Sequence, residues 1–359
     1  MSDARRVRGL DLLRGLAILL VMLRHAWPEI FGGAGIVGVV IFFALSGYLI
    51  TGLLLNDLGR FGRVRYGRFY LHRAFRLLPA LVVVVLAFVV IEGILDVRGQ
   101  RDLVPHTALL ALTYTMNIPG IGDGSWVLDH LWTLATEEQF YLLWPLLLAF
   151  SFRMGRRVAH LATAGLAGAI LIALAASLVW AAPDYALVYT YPTSWAIAMI
   201  IGSAARMARA RLSATPLLKP GSTSLRFLAA LALLAIMALS FMPEAKHQWL
   251  SYALLGPAVA LSTVVMILFL LHWEELPSKL LLPFQWLGSV SYAAYLWNLP
   301  MVAWVAFLHL GAWDGFASII ATLVMATASW FFVESPVQRL RARMDKRTEE
   351  RQQLVLTRA

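Results

Sequence analysis

Asp11, Arg14 and His25 fall in one apolar stretch, DLLRGLAILLVMLRHAW, at spacings that put them on a single helix face. Arg14 and His25 lie eleven residues apart. At ~100° per residue that is about three turns, ~20° apart in azimuth and ~16 Å apart along the axis. Asp11, three residues before Arg14, joins the same stripe. An ionisable side chain at the bilayer centre costs at least ~2.5 kcal/mol, so such groups face a protein interior or an aqueous cavity. A histidine serves as general base near neutral pH. A carboxylate held against it orients the ring and stabilises the imidazolium. His25 with Glu137 fits that description and would deprotonate a hydroxyl for attack on an acyl group. A histidine snorkelling to water at the interface accounts for His25 by itself equally well.

The elements that must position these groups are membrane helices. Hydrophobic residues make up 60% of the chain and charged residues 14%. Soluble domains sit nearer ~45–50% and ~25%, so the fold class is all-α, a polytopic integral membrane helical bundle. At ~20 residues per span plus loops, 359 residues hold about ten transmembrane helices and no sizeable extramembrane domain. The net charge of +10 is gathered in short clusters between apolar runs. That is the pattern of cytoplasmic loops on anionic membrane lipid, not of nucleic-acid binding. No cysteine is present, which excludes disulfides, thiolate metal sites and a cysteine nucleophile. His106, His130, His160, His247, His272 and His309 lack paired ligand spacing, so no metal site is expected. The first apolar run has no small-residue cleavage site after it and reads as a retained span.

Arginine bias orients the bundle. Clusters at Arg5, Arg6 and Arg8, at Arg60 to Arg76, at Arg153 to Arg157, at Arg206 to Lys219 and from Arg339 to Arg347 are placed inside. An even number of crossings must separate the second cluster from the third. The apolar run at 103–118, which carries Pro105 and His106, therefore becomes a short, non-spanning segment on the outer side. Both termini are then cytoplasmic, with a membrane domain over 1–340 and a basic cytoplasmic tail over 341–359. His25, the loop NIPGIGDGSW and the Glu137–Glu138 pair converge on the outer half of the membrane.

Five ordered motifs are specific as a set. The first is GLDLLRGLAILLVMLRH, with Arg14 and His25. GIVGVVIFFALSGYLI follows with Ser46, Gly47 and Tyr48, and then FYLHRAFRLLPA with Arg73 and Arg76. HLWTLATEEQFYLLWP carries His130, Trp132, Glu137 and Glu138. The pair SYAAYLWNLP and FFVESP carries Ser291, Tyr292, Tyr295, Asn298 and Glu334. In these the chain resembles the acyltransferase-3 family of integral membrane O-acyltransferases, from residue 9 to about 340. It departs at Thr133 and Ala135 (commonly serines), at Asn298 (commonly histidine) and at Trp195 (commonly arginine).

The resemblance implies transfer of an acyl group, acetyl by default, from acyl-CoA to a hydroxyl of a carbohydrate or glycosylated acceptor in a bacterial plasma membrane. It implies catalysis by His25, Glu137 and Arg14. Substrate contacts would come from Asp11, Ser46, Arg73, Arg76, His130, Trp132, Glu138, Tyr292, Tyr295 and Asn298. Acyl-CoA is a co-substrate, and no cofactor is held permanently. The chain ends soon after its last apolar run, so a stand-alone form without a fused soluble transferase domain is expected. It would complete the transfer itself or hand the acyl group to a separate partner protein. A transporter or flippase for a lipid-linked or glycosidic molecule is the rival class, since intramembrane charges are expected there too.

Three features stay open between two readings. The arginines from Arg63 to Arg76 suit CoA phosphates or simply the positive-inside signal, and Glu334 is available to pair with Arg73 or Arg76. Gly35, Gly38 and Gly47 suit close helix packing or room for a pantetheine arm. Tyr292, Tyr295 and Asn298 recur every three residues and either line a cavity or satisfy neighbouring helices.

Overall fold

The computed structural model describes residues 7–121 and 124–356, which are helical with no strand among them. At the centre, α1 (Arg8–Ala26) and α2 (Ala34–Phe61) form a hairpin. α3 (Tyr66–Phe88) runs on through a π-helical stretch, Val89–Ile94. α4 (Val104–Thr113) is only ~15 Å long, half the ~30 Å hydrocarbon layer. α5 (Trp132–Arg153) and α6 (Arg156–Ala181) follow, then the short α7 (Pro192–Trp195), α8 (Ile197–Met207) and α9 (Arg209–Ala214). α10 (Thr223–Ser240) and α11 (Trp249–Leu270) pair as a second hairpin. α12 (Leu282–Ser289) and α13 (Ser291–Ala306) are broken only at Val290. α14 (Asp314–Ser329) passes through a π-helical stretch, Trp330–Glu334, into α15 (Ser335–Leu356).

Lipid tails are as apolar as leucine, so membrane helices gain association from close packing rather than from hydrophobic burial. The contact of α2 with α8 shows how. Gly47 lies on the backbone of Met199, and Gly202 lies on the backbone of Ala44. A Cβ at either position would run into a carbonyl oxygen. Gly47 is therefore a packing residue and opens no passage.

The bundle is apolar on the outside as well as within. Ile172 and Val179 on α6, Leu143 on α5 and Phe332 after α14 point outward, the last 81% exposed. A surface of this kind is stable in lipid and not in water. Six helical segments among the described residues are long and apolar enough to cross a membrane. They are Ala34–Phe61, Tyr66–Ile94, Arg156–Ala181, Thr223–Ser240, Trp249–Leu270 and Gly311–Asp345. The chain is a multi-pass membrane protein, but length and composition establish six spans rather than about ten. The shortfall has a physical cause. α1 carries Asp11, Arg14 and Arg24, α5 carries Glu137 and Glu138, and α8 and α13 are short. The expectations for Arg5 and Arg6, for Gly122 and Asp123 of the outer loop, and for side chains beyond Asp345 lie outside the described residues.

Candidate active site

The helices that fall short as spans, α1, α5, α8 and α13, enclose a cavity together with the spans α2 and α3. It has a volume of about 550 Å³, and α1, α2, α3, α5, α8 and α13 all contribute to its wall. Arg14 enters from α1, Ser46 from α2, Arg73 and Arg76 from α3, Glu137 from α5, and Tyr292 and Tyr295 from α13. Seven of the residues expected from the sequence are thus brought to one space.

Each is held differently. Arg14 faces Asp11 across 3.7 Å, and Asp11 is almost fully buried behind it. The backbone of Asp11 rests on Gly288, which brings α1 against α12 and fixes the height of the pair. Arg73 donates to Glu138 and lies 3.5 Å above the Tyr141 ring. Glu138 is thereby a partner of Arg73 and is not on the cavity wall. Arg76, one turn further along α3, is exposed to the cavity and has no carboxylate partner among the described residues. Glu334 is buried without an ion pair to either arginine. Tyr292 donates to the Leu77 carbonyl at 2.8 Å.

Glu137 does not sit against His25. It accepts a hydrogen bond from the Ser46 hydroxyl at 2.8 Å, inside the cavity. His25 instead bonds through Nδ1 to the Asn298 side-chain oxygen. The chain of bonds behind Asn298 fixes the direction of that contact. Ser318 offers its carbonyl to the Thr322 hydroxyl at 2.7 Å, so the Thr322 oxygen is free to accept. The Asn298 amide nitrogen donates to that oxygen at 3.3 Å. Its own oxygen therefore faces His25, and the imidazole must donate from Nδ1 and keep the lone pair on Nε2. Asn298 is fully buried and His25 half-buried.

His25, Asn298 and His130 form a second cluster beside the cavity rather than on its wall. Thr133 and Tyr295 stand between the two spaces. Their hydroxyls are 2.6 Å apart, one donating to the other, and each lies within hydrogen-bond reach of the His130 carbonyl. The His130 ring lies 5.2 Å from that of Tyr295, and both its nitrogens are buried without a partner. Trp132 does not reach the cavity. It is a packing residue, edge-on to Phe43 and Tyr189.

Two departures from the family pattern have local explanations. Thr133 keeps the hydroxyl that a serine would offer to Tyr295. Trp195 is fully buried, donates its indole N–H to the Tyr189 carbonyl at 2.8 Å and packs on Tyr252, which leaves no room for a cation. Arg206 and Arg209 also line the cavity, although their sequence setting marks them only as an inside cluster. No sequence signal separates an arginine that faces a cavity from one that faces lipid.

Residues 7–334 match the family model of an acyltransferase domain, acyltransferase-3. The chain is 29% identical to YrhL of Bacillus subtilis (strain 168), provisionally named a peptidoglycan O-acetyltransferase, over 93% of this chain and 55% of that protein. It is 28% identical to the O-acetyltransferase OatA of Staphylococcus aureus (strain NCTC 8325 / PS 47), over 94% of this chain and 58% of the relative. It is 27% identical to the peptidoglycan O-acetyltransferase OatA of Listeria monocytogenes, over 93% and 56%. The chain thus spans little more than half the length of these relatives. No solved structure matches it significantly. With the family match running from the start of α1 through Glu334 and taking in every wall of the cavity, the chain belongs to the acyltransferase-3 family.

Proposed function

We propose that this protein is a bacterial membrane O-acetyltransferase that moves an acetyl group from acetyl-CoA to a hydroxyl of a carbohydrate, with a cell-wall glycan the first acceptor to test. The reading includes ten crossings, cytoplasmic termini, a donor entering from the inner face and an acceptor arriving near His25. One observation carries it. A cavity edged by Arg14, Arg76 and Glu137 takes in a hydroxyl pair that contacts His130, and His25, whose tautomer is fixed with Nε2 as the base, neighbours His130 on the far side.

In this mechanism His25 Nε2 takes the proton of the acceptor hydroxyl while the hydroxyl oxygen bonds to the thioester carbonyl carbon. The carbon–sulfur bond then breaks, and the imidazolium returns the proton to the departing sulfur, leaving an ester and a free thiol. In a two-step variant His25 carries the acetyl group between donor and acceptor. Arg14, held by Asp11 and about three turns of α1 from His25, offers its positive charge to the donor within the cavity. Glu137 and Ser46 hold the donor's reacting end within the cavity. Thr133 and Tyr295 must turn aside for the two substrates to meet.

The test is release of free thiol from acetyl-CoA by the purified protein in detergent, with glycan fragments as acceptors. Losing a general base costs ~10²–10⁴-fold. His25→Ala is therefore expected to lower the rate by about that much while the protein still binds CoA. Undiminished release in His25→Ala would remove the chemistry from α1. Movement of an unmodified glycoside across liposomes without thiol release would establish transport instead.

A further inference from the structure

The inner side of the bundle holds two groups of arginines, and the structure treats them in opposite ways. In the group at the start of α3, Arg65 is tied to Asp57 at 3.0 Å, Arg68 and His72 reach Asp345, and Arg73 is bound to Glu138. Of the arginines whose sequence setting suggested phosphate binding, Arg65, Arg68 and Arg73 are thus answered by carboxylates of the same chain, while Arg76 faces the cavity. The second group edges a cleft of about 1250 Å³ between the end of α2, the start of α6 and the α8–α9 junction. Arg156, Arg157, Arg206, Arg209 and Arg211 line it, and no acidic residue does. None of the five has a carboxylate partner among the described residues.

The cleft is joined to the cavity above it. Arg206 and Arg209 line both spaces. At the junction the Arg206 guanidinium lies 5.6 Å from the centre of the Tyr48 ring, and the Tyr48 hydroxyl is buried without a hydrogen-bond partner. Gly59 edges the cleft and Ser46 the cavity, thirteen residues apart on α2. That is about 20 Å at 1.5 Å per residue. A ligand filling both would carry several negative groups at one end and a narrow arm of that length leading to Ser46 and Glu137. The span suits an extended pantetheine arm on a phosphorylated nucleotide.

The geometry points to the Arg156–Arg157–Arg209–Arg211 cleft as the site that holds the phosphate groups of the acyl donor. Guanidinium groups bind phosphate oxygens in bidentate fashion, and here no carboxylate among the described residues competes for them. The inference rests on the thioester-donor reading above. Anionic lipid headgroups present the same phosphate chemistry, and the experiment separates the two sources.

Binding of CoA and of 3′-dephospho-CoA would be measured in nanodiscs made with and without phosphatidylglycerol. The proteins compared are the wild type, Arg156→Gln/Arg157→Gln, Arg209→Gln/Arg211→Gln and the control Arg60→Gln/Arg63→Gln, whose arginines are exposed and line neither space. Each cleft variant is expected to lose roughly tenfold or more in CoA affinity, about 1.4 kcal/mol. The preference for CoA over its 3′-dephospho form should shrink with it, and the control should stay near wild type. Two pairs on different helices guard against one variant failing to fold. Equal CoA affinity in all four proteins would overturn the inference while leaving the donor reading intact. CoA binding by none of them would overturn both. If the cleft variants keep CoA but lose stabilisation by phosphatidylglycerol, the cleft is a lipid site and the inference falls.

Discussion

Asn298 is neutral, buried and placed where relatives commonly carry a histidine, yet it gives His25 a defined job. Its oxygen can only accept, so the imidazole hydrogen is held on Nδ1 and the lone pair on Nε2. Partners that fix the tautomer and orientation of a metal-bound histidine typically matter by ~10–100-fold when removed, and the general-base role proposed for His25 gives Asn298 the same task. Asn298→Leu, which keeps the volume and loses the acceptor, is expected to lower kcat by about that factor with little change in the donor KM. Asn298→His, which can accept through a ring nitrogen, should recover most of the loss. Steady-state kinetics on the two variants checks this, and an equal loss in both would mean that position 298 matters only for packing. Glu137 shows the opposite lesson. Its expected place at the outer end of its apolar run made it a candidate partner for His25, but Glu137 lies on the cavity wall apart from His25 and accepts a hydrogen bond from the Ser46 hydroxyl.

Between elements, the backbone contact of α2 with α8 is a direct constraint on the cavity, because both helices line it. Gly202→Val would push a side chain into the Ala44 carbonyl, and overpacking of this kind costs ~1–3 kcal/mol. A lowered melting temperature in detergent is expected, together with weakened donor binding. Gly168→Ala on α6 faces open space and should leave the melting temperature unchanged or slightly raised, since glycine inside a helix costs ~0.5–1 kcal/mol relative to alanine. The contrast separates a packing glycine from an incidental one. Helix identity was legible in the sequence because apolar runs and motif order survive without tertiary information. Crossing status was less so, because the groups that make the site also lower the hydropathy of α1 and α5. Arginine roles were not legible at all. Whether Arg68 is answered depends on Asp345, 277 positions away, and no local pattern encodes that.

For the whole molecule, topology is the open quantity, and the absence of cysteine makes it directly measurable. With ten crossings, Ile30 between α1 and α2 lies outside and Arg63 between α2 and α3 lies inside. Ile30→Cys in intact cells is expected to react with a membrane-impermeant maleimide, and Arg63→Cys only after permeabilisation. Should α1 not cross, position 30 will lie on the same side as the N-terminus, and the labelling order will reverse. Both residues are exposed in loops or at helix ends, so neither substitution disturbs packing.

The hydroxyl pair of Thr133 and Tyr295 has a meaning beyond the reaction itself. A water-accessible space that ran from an arginine-lined inner mouth to histidines near the opposite face would be a ready proton conductor, and a cell living on its proton gradient would lose energy through every copy. The cavity wall stops at this pair and takes in neither His25 nor His130, so under the proposed topology no open water channel joins the two faces at rest. An acetyl group would cross as part of a covalent exchange, while the electrochemical gradient stays intact.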